Sequence, residues 1–512
     1  MTNISNNFNL NKISSVTNVT SNNNRTFLSN KPDTFEKSTV TFSDKLKEKF
    51  DDKQLERLAK KPVEIQEKAN ILSNTKLSAD DITFNLYYSN KDLDVKKVAD
   101  KVIEMEKVCG ENLKDIKLGS NKYDDTCLDI TAITNDNNKK ILTIDKKGKP
   151  RSSEDVIYQA KNGENFEIKK SKDFKTGMIS EITSKVVDNR IIPQTELIIA
   201  KDYKEYAEPS EIKGIFNRTR TYNNGKVEEI SSGKIDKKTG IKTVKKNMTS
   251  LDGTKTEYLF EDDPKGNRIS DYKITDKSGK VLYNNSEAFE VIDENTFISS
   301  KNDKSYEIKY SEDNKKLNVK DRKTNQNTEI DLYNYILGGN SEKLIPALKT
   351  VSGDELIKMK DNVTHLLQID DDTASFYHPS RKDVTTCDTP YILLHELGHA
   401  KDMKQYDTTS FKTKDATESL LVSANKDVKE TYDKERELFN KNFSNAQREH
   451  VDYFIKTSGH PSGTNGALKE SLAEVNAFLN TPNSVDRYSM RAEYLQRYFP
   501  KTVAKLAEQL NK

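Results

Sequence analysis

At 512 residues the chain is too long for one compact core, and about two to four domains are expected. Charged residues make up 32% and the apolar set 33%, the balance of a soluble, strongly solvated chain, and no run approaches the ~18 apolar residues of a membrane-spanning helix. With 84 Lys and Arg against 82 Asp and Glu, no charge bias directs the whole chain to nucleic acid or to an anionic membrane.

Residues 1–42 are rich in Asn, Ser and Thr and poor in aromatics. Such a segment buries too little to offset its ordering entropy and is expected to be disordered. It also lacks the apolar core of a secretory signal, so the protein is expected in the cytoplasm or exported by a non-classical, effector-type route. From 43 to about 118, FSDKLKEKF, KQLERLAKKPVEIQEKANIL and DLDVKKVADKVIEMEKV carry helical periodicity, with Asp92 or Asp94 as cap of the last helix.

Between about 119 and 335 the pattern turns to short β-prone runs broken by glycine turns, as in KILTIDKKGKP and LDGTKTEYLF. Gly225, Gly240, Gly253, Gly266 and Gly279 recur every 13 to 15 residues, an interval that one short strand and two half-turns fill. This predicts an antiparallel meander with a polar face, with an ordinary β-sandwich or a pair of small β-domains as the plain alternative. From about 336 to the end PYILLHELGHAKDMK, ALKESLAEVNAFL and PKTVAKLAEQL are helical again. The expected fold class is α+β and multidomain: a helical N-terminal region, an antiparallel β-rich middle and a mainly helical C-terminal domain. Cys109, Cys127 and Cys387 are odd in number and scattered, and read as reduced packing residues.

All six histidines (365, 378, 395, 399, 450 and 460) lie in the last third. His395-Glu396-Leu397-Gly398-His399 matches H-E-x-x-H, whose i, i+4 spacing puts both imidazoles on one helix face, converging on one metal ion. Glu396 lies about 100° round the helix, where a carboxylate reaches an activated water without occupying the metal. Asp388 or Thr389 can cap this helix and Pro390 suits its first turn. Six histidines in 512 residues make an accidental match rare.

A third protein ligand must come from elsewhere, because Asp402 and Gln405 stand where an extended H-E-x-x-H-x-x-G-x-x-H pattern needs Gly and His. Glu470 and Glu474, at i and i+4, project two carboxylates from one face of a helix. One can bind zinc while the other accepts an N–H of a ligating imidazole. Leu472, Ala473, Val475 and Ala477 beside them argue against a merely solvated acidic face.

HELGH followed by ESLAEVNAFL resembles the glutamate-zincin peptidases, in particular the anthrax-lethal-factor-like catalytic domain, with H-E-x-G-H and a later E-x-x-A-E-x-x-A met by Glu470, Ala473, Glu474 and Ala477. The resemblance covers about residues 340–512. It implies a mainly helical zincin-like metallopeptidase domain with one zinc ion per chain on His395, His399 and Glu470. It also implies Glu396 as general base, Glu474 behind a ligating histidine, a protein or peptide substrate and a toxin-like or effector role. The family's tyrosine a few residues before the ligand glutamate is missing here. His460 is the nearest residue able to donate to a transition-state oxyanion, and Tyr453 the second candidate.

His378 falls in a β-prone stretch before the HELGH helix, where such folds place a substrate-pairing edge strand, and is read as a loop or subsite residue. His365 and His450 read as packed or capping residues. Two functions remain open at this stage: a zinc endopeptidase, or a metal-stabilised scaffold whose β-rich region binds a protein. Retention of Glu396, the base a decayed site would lose first, favours the enzyme. Nothing in the sequence sets an oligomeric state.

Overall fold

The computed structural model describes residues 40–86, 93–122, 124, 126–188, 190–338, 341–369, 375–403, 421–443, 451–456, 460, 465–482 and 490–511. The Asn-rich segment up to residue 39, and His450, lie outside the described residues.

Four short helices, Asp44–Lys49, Asp52–Ala59, Val63–Leu72 and Ala79–Phe84, precede the longer Val95–Cys109. Ser43, Ser78 and Asp94 each accept an N–H of the first turn that follows them, and Asp51 forms a capping box with Gln54. Asp94 is the cap of the last of these helices; the other candidate, Asp92, lies outside the described residues. The α-helix ends at Cys109 with Gly110 as its C-cap, at φ +54°, and a single 3-10 turn, Gly110–Asn112, follows. A strand, Leu113–Ser120, then begins inside the region read as helical to about 118, with Ile116 and Leu118 pointing inward.

From Leu113 to Asp331 eighteen strands form a single sheet, and each is antiparallel to the next one in the chain. The five rhythmic glycines sit in its turns with φ between +75° and +99°, a region where a Cβ is strained. Aspartates close four of these turns and Asn224 the one at Gly225; Asp276 Oδ1, for example, accepts from Ser278 N at 2.8 Å and from Lys280 N at 3.0 Å. In the strand Arg268–Thr275, Ser270, Tyr272 and Ile274 are buried while Ile269, Asp271 and Lys273 are exposed, so one face carries the core.

What covers that face corrects the expected fold class. A β-rich middle joined to a separate, mainly helical zincin-like domain is not what the chain forms. The helices after Leu332 do not close a core among themselves. Val244, Tyr258, Phe260, Tyr272 and Ile274 of the sheet share one apolar cluster with Phe439, Leu472, Phe478, Leu495, Phe499 and Val503. A second cluster joins Phe297, Ile308, Leu317 and Val319 of the sheet to Leu356, Leu393, Leu397 and Ala477. The physical reason is the two-sidedness of a long meander: its apolar face needs a partner, and the C-terminal helices are that partner.

The C-terminal third also holds a second sheet of four strands in the order Ile336–Leu337, His365–Gln368, Asp383–Thr386, Phe376–His378. The first three are parallel and the outer Phe376–His378 is antiparallel to its neighbour.

The N-terminal helices pack on Ile116, Leu118, Leu128, Ile130 and Ala132. Followed through the cross-strand register, these residues lie on the opposite face from Tyr258 and Tyr272. The two helical ends of the chain therefore cover opposite faces of one sheet. Among the described residues no helix is long and apolar enough to cross a membrane.

Candidate metal centre

Two buried helices build the site. The first, Pro390–Asp402, carries His395, Glu396 and His399; Thr389 is its N-cap position and Pro390 occupies the first turn, although the Thr389 side chain makes no capping bond. The second, Gly466–Asn480, carries Glu470 and Glu474, and all of its residues except Lys469 are buried. Each helix owes its position to small residues. A Cβ on Gly398 would lie 2.6 Å from Ala473 Cα and 3.2 Å from Ala473 O, so glycine against alanine sets how closely the two backbones approach.

Asn476 then bolts the pair together. Its Nδ2 donates to Leu394 O at 2.6 Å, and its Oδ1 accepts from Lys401 Nζ at 2.8 Å. Lys401 also donates to Glu355. Burial draws the Lys401 ammonium down to about 8 against the pull of Glu355.

This approach brings Glu470 Oε2 to 3.2 Å from His395 Nε2 and 3.6 Å from His399 Nε2. A tetrahedral zinc site with bonds of about 2.0–2.1 Å has donor-to-donor edges of about 3.3 Å, close to the two Glu470–imidazole separations, and the three donor atoms all lie within 4.8 Å of one another. His395, His399 and Glu470 are the group of this kind found among the described residues. Behind His395, Nδ1 faces Glu474 Oε2 at 3.5 Å, while Glu474 Oε1 accepts the Tyr391 hydroxyl. Glu396 is buried beside the pair of imidazoles, on a helix that packs against the outer strand of the small sheet.

Burial alone would lower the His395 imidazole, yet the Glu470 and Glu474 carboxylates outweigh it and push it up to about 10. Burial would raise Glu470, and His395 and His399 hold it well below the usual carboxylate range. Burial pushes Glu396 up, opposed by the two imidazoles. The shifts of His395 and Glu470 point the same way: two carboxylates and two imidazoles converge where a positive charge is favoured, and a divalent cation would supply one. The donor set, two imidazoles and a carboxylate backed by a second carboxylate, fits zinc.

His395, Glu396, His399, Glu470 and Glu474 are thus brought together. His460 and Tyr453 form a pair of their own. The buried His460 ring lies against Gly466 at the start of the Glu470 helix, its centroid 5.2 Å from that of Tyr453, and its Nε2 N–H donates to Tyr453 O at 3.0 Å. That proton is directed to a backbone carbonyl.

His365 Nδ1 lies 3.3 Å from Asp383 Oδ1 within the small sheet. His378 sits on its outer strand, with Nδ1 3.1 Å from Ser380 Oγ. Sequence reasoning missed Tyr391 and Asn476, although both obey the same four- and three-residue spacing that identified the ligands: Tyr391 is four residues before His395 and Asn476 three after Ala473. No protein-family model and no curated protein matches the chain.

Proposed function

We propose that the chain is a zinc-dependent peptidase whose metal is held by His395, His399 and Glu470. The observation that carries this reading is the convergence of two imidazole Nε2 atoms on one Glu470 oxygen, across 75 residues of sequence, with Glu396 buried beside them. When bound, zinc would act as a Lewis acid on a water and on the substrate carbonyl.

The chain's own residues do the rest. Glu396 accepts the proton of the attacking water and delivers it to the departing amine. Glu474 holds the direction of the His395 ring. The strand Phe376–His378 is the outer one of its sheet and packs against the helix that carries Glu396, so an extended peptide pairing along this edge would present its backbone next to the base. The likeness of both helix motifs to the glutamate-zincin peptidases supports a peptide as the substrate class, and a toxin-like or effector role rests on that likeness too.

The test is incubation of the zinc-loaded full chain with a peptide library, read by mass spectrometry, with and without chelator. Cleavage that chelator abolishes and zinc restores is the expected result. A zinc-loaded chain that cleaves nothing would leave the metal as scaffold and remove the peptidase.

A further inference from the structure

Tyr391 stands one helical turn before His395, on the same side of its helix. Its hydroxyl donates to Glu474 Oε1, and the other oxygen of that carboxylate faces His395 Nδ1 at 3.5 Å. Three groups from two helices thus form a line that ends on a ring whose far nitrogen, Nε2, faces Glu470 at 3.2 Å.

We propose that Tyr391 is a positioning residue for the metal site: it holds the Glu474 carboxylate in the orientation that presents Oε2 to His395 Nδ1, and through it fixes the tautomer and direction of the ring. The inference rests on the reading of His395 as a metal ligand.

The argument is one of remaining freedom. The backbone of the Glu470 helix cannot slide relative to the His395 helix, because Gly398 meets Ala473 and Asn476 bonds Leu394 O. The Glu474 side chain is only 1% exposed, so it has little room to leave the interface. Rotation of the carboxylate about its last bond is the motion left, and a hydrogen bond on Oε1 stops it. Because Tyr391 shares a helix with His395, orienter and oriented ring keep their separation even if the helix shifts. A buried acceptor that lost its donor would turn toward whatever donor remained. Nδ1 would then lose its partner, and Nε2 its aim at the metal.

The experiment measures zinc dissociation constants by competition with a chromophoric chelator, on full-length wild type, Tyr391→Phe, Glu474→Gln and the double variant. Melting of each zinc-free protein is followed alongside. Tyr391→Phe should weaken zinc about 10-fold and Glu474→Gln about 10- to 100-fold, the usual range for groups that orient a ligand. In the Glu474→Gln background the tyrosine change should add less than about twofold, because it acts through that carboxylate. Zinc-free Tyr391→Phe should melt close to wild type. Wild-type affinity in Tyr391→Phe, or an equal loss in both backgrounds, overturns the proposal while leaving the zinc site standing. A wild-type chain that holds no zinc removes both.

Discussion

Glu470 presents one oxygen to both imidazoles, at 3.2 and 3.6 Å, so truncating it removes the donor the two rings share. Glu470→Ala should lose stoichiometric zinc, and Glu474→Ala should weaken it by about 10- to 100-fold while keeping the stoichiometry. Metal analysis after gel filtration separates the two, and full zinc in Glu470→Ala would contradict the ligand assignment. Most of this cluster was legible from spacing alone, since two i, i+4 pairs on two apolar helices admit few arrangements. The pairing of His460 with Tyr453 was not. Which carbonyl a loop imidazole finds depends on how the Gly466 end of its neighbour helix packs, and no short-range pattern records that.

Between the two site helices, Gly398 packs on Ala473 with no slack. A Cβ there meets backbone atoms at 2.6 and 3.2 Å, so the helices must part. Gly398→Ala should cost about 1–3 kcal/mol as an overpacked core. It should also lower zinc affinity, because the ligands sit on opposite sides of the widened gap. Calorimetry with and without zinc checks both, and a wild-type melting profile would show the approach to be loose.

A second junction fastens the helix Met490–Tyr498 to the sheet. Arg497 and Glu493 meet Glu205, Arg218 and Lys246; all are buried except Glu493, whose side chain is 12% exposed. Burial would raise Glu205 and Glu493, but the surrounding guanidinium and ammonium groups bring each down to about 2. Depressed carboxylates stabilise the fold above their unfolded value near 4.5, and that contribution fades as pH falls from there toward 2. Hydrogen exchange should therefore show residues 492–498 losing protection between pH 5 and pH 3 before the strands at 255–275 do. Simultaneous loss would mean the junction is not the acid-sensitive one. These partners lie about 250 to 300 residues apart in the chain, which is why charge pattern alone could not pair them.

For the whole molecule, the sheet is the organising element, and the two helices of the candidate site pack on it. The glycine rhythm and the alternation of residues such as Tyr258 and Phe260 made the meander readable, but alternation shows only that a strand has an apolar face, not what covers it. Hence the separate helical domain expected from the C-terminal pattern, where the structure has Phe478 and Leu472 packed into a cluster with Phe260 and Tyr272. A fragment of residues 336–512 would expose the helices' side of that interface to water. It should be poorly soluble or partly unfolded, and should bind zinc far more weakly than the full chain. A compact, cooperative, zinc-binding fragment would restore the independent domain.

The central claim, that this sheet-backed pair of helices holds a hydrolytic zinc site with Glu396 as its base, is tested most directly by one comparison. Wild type and Glu396→Gln, both full length, are assayed for zinc content and for cleavage of the same peptide. Glutamine keeps the size of the side chain but does not accept the water proton. Zinc should stay near one per chain in both, while cleavage by Glu396→Gln should fall by at least about 10² to 10⁴, the usual contribution of a positioned base. Cleavage by Glu396→Gln at the wild-type rate would contradict the account.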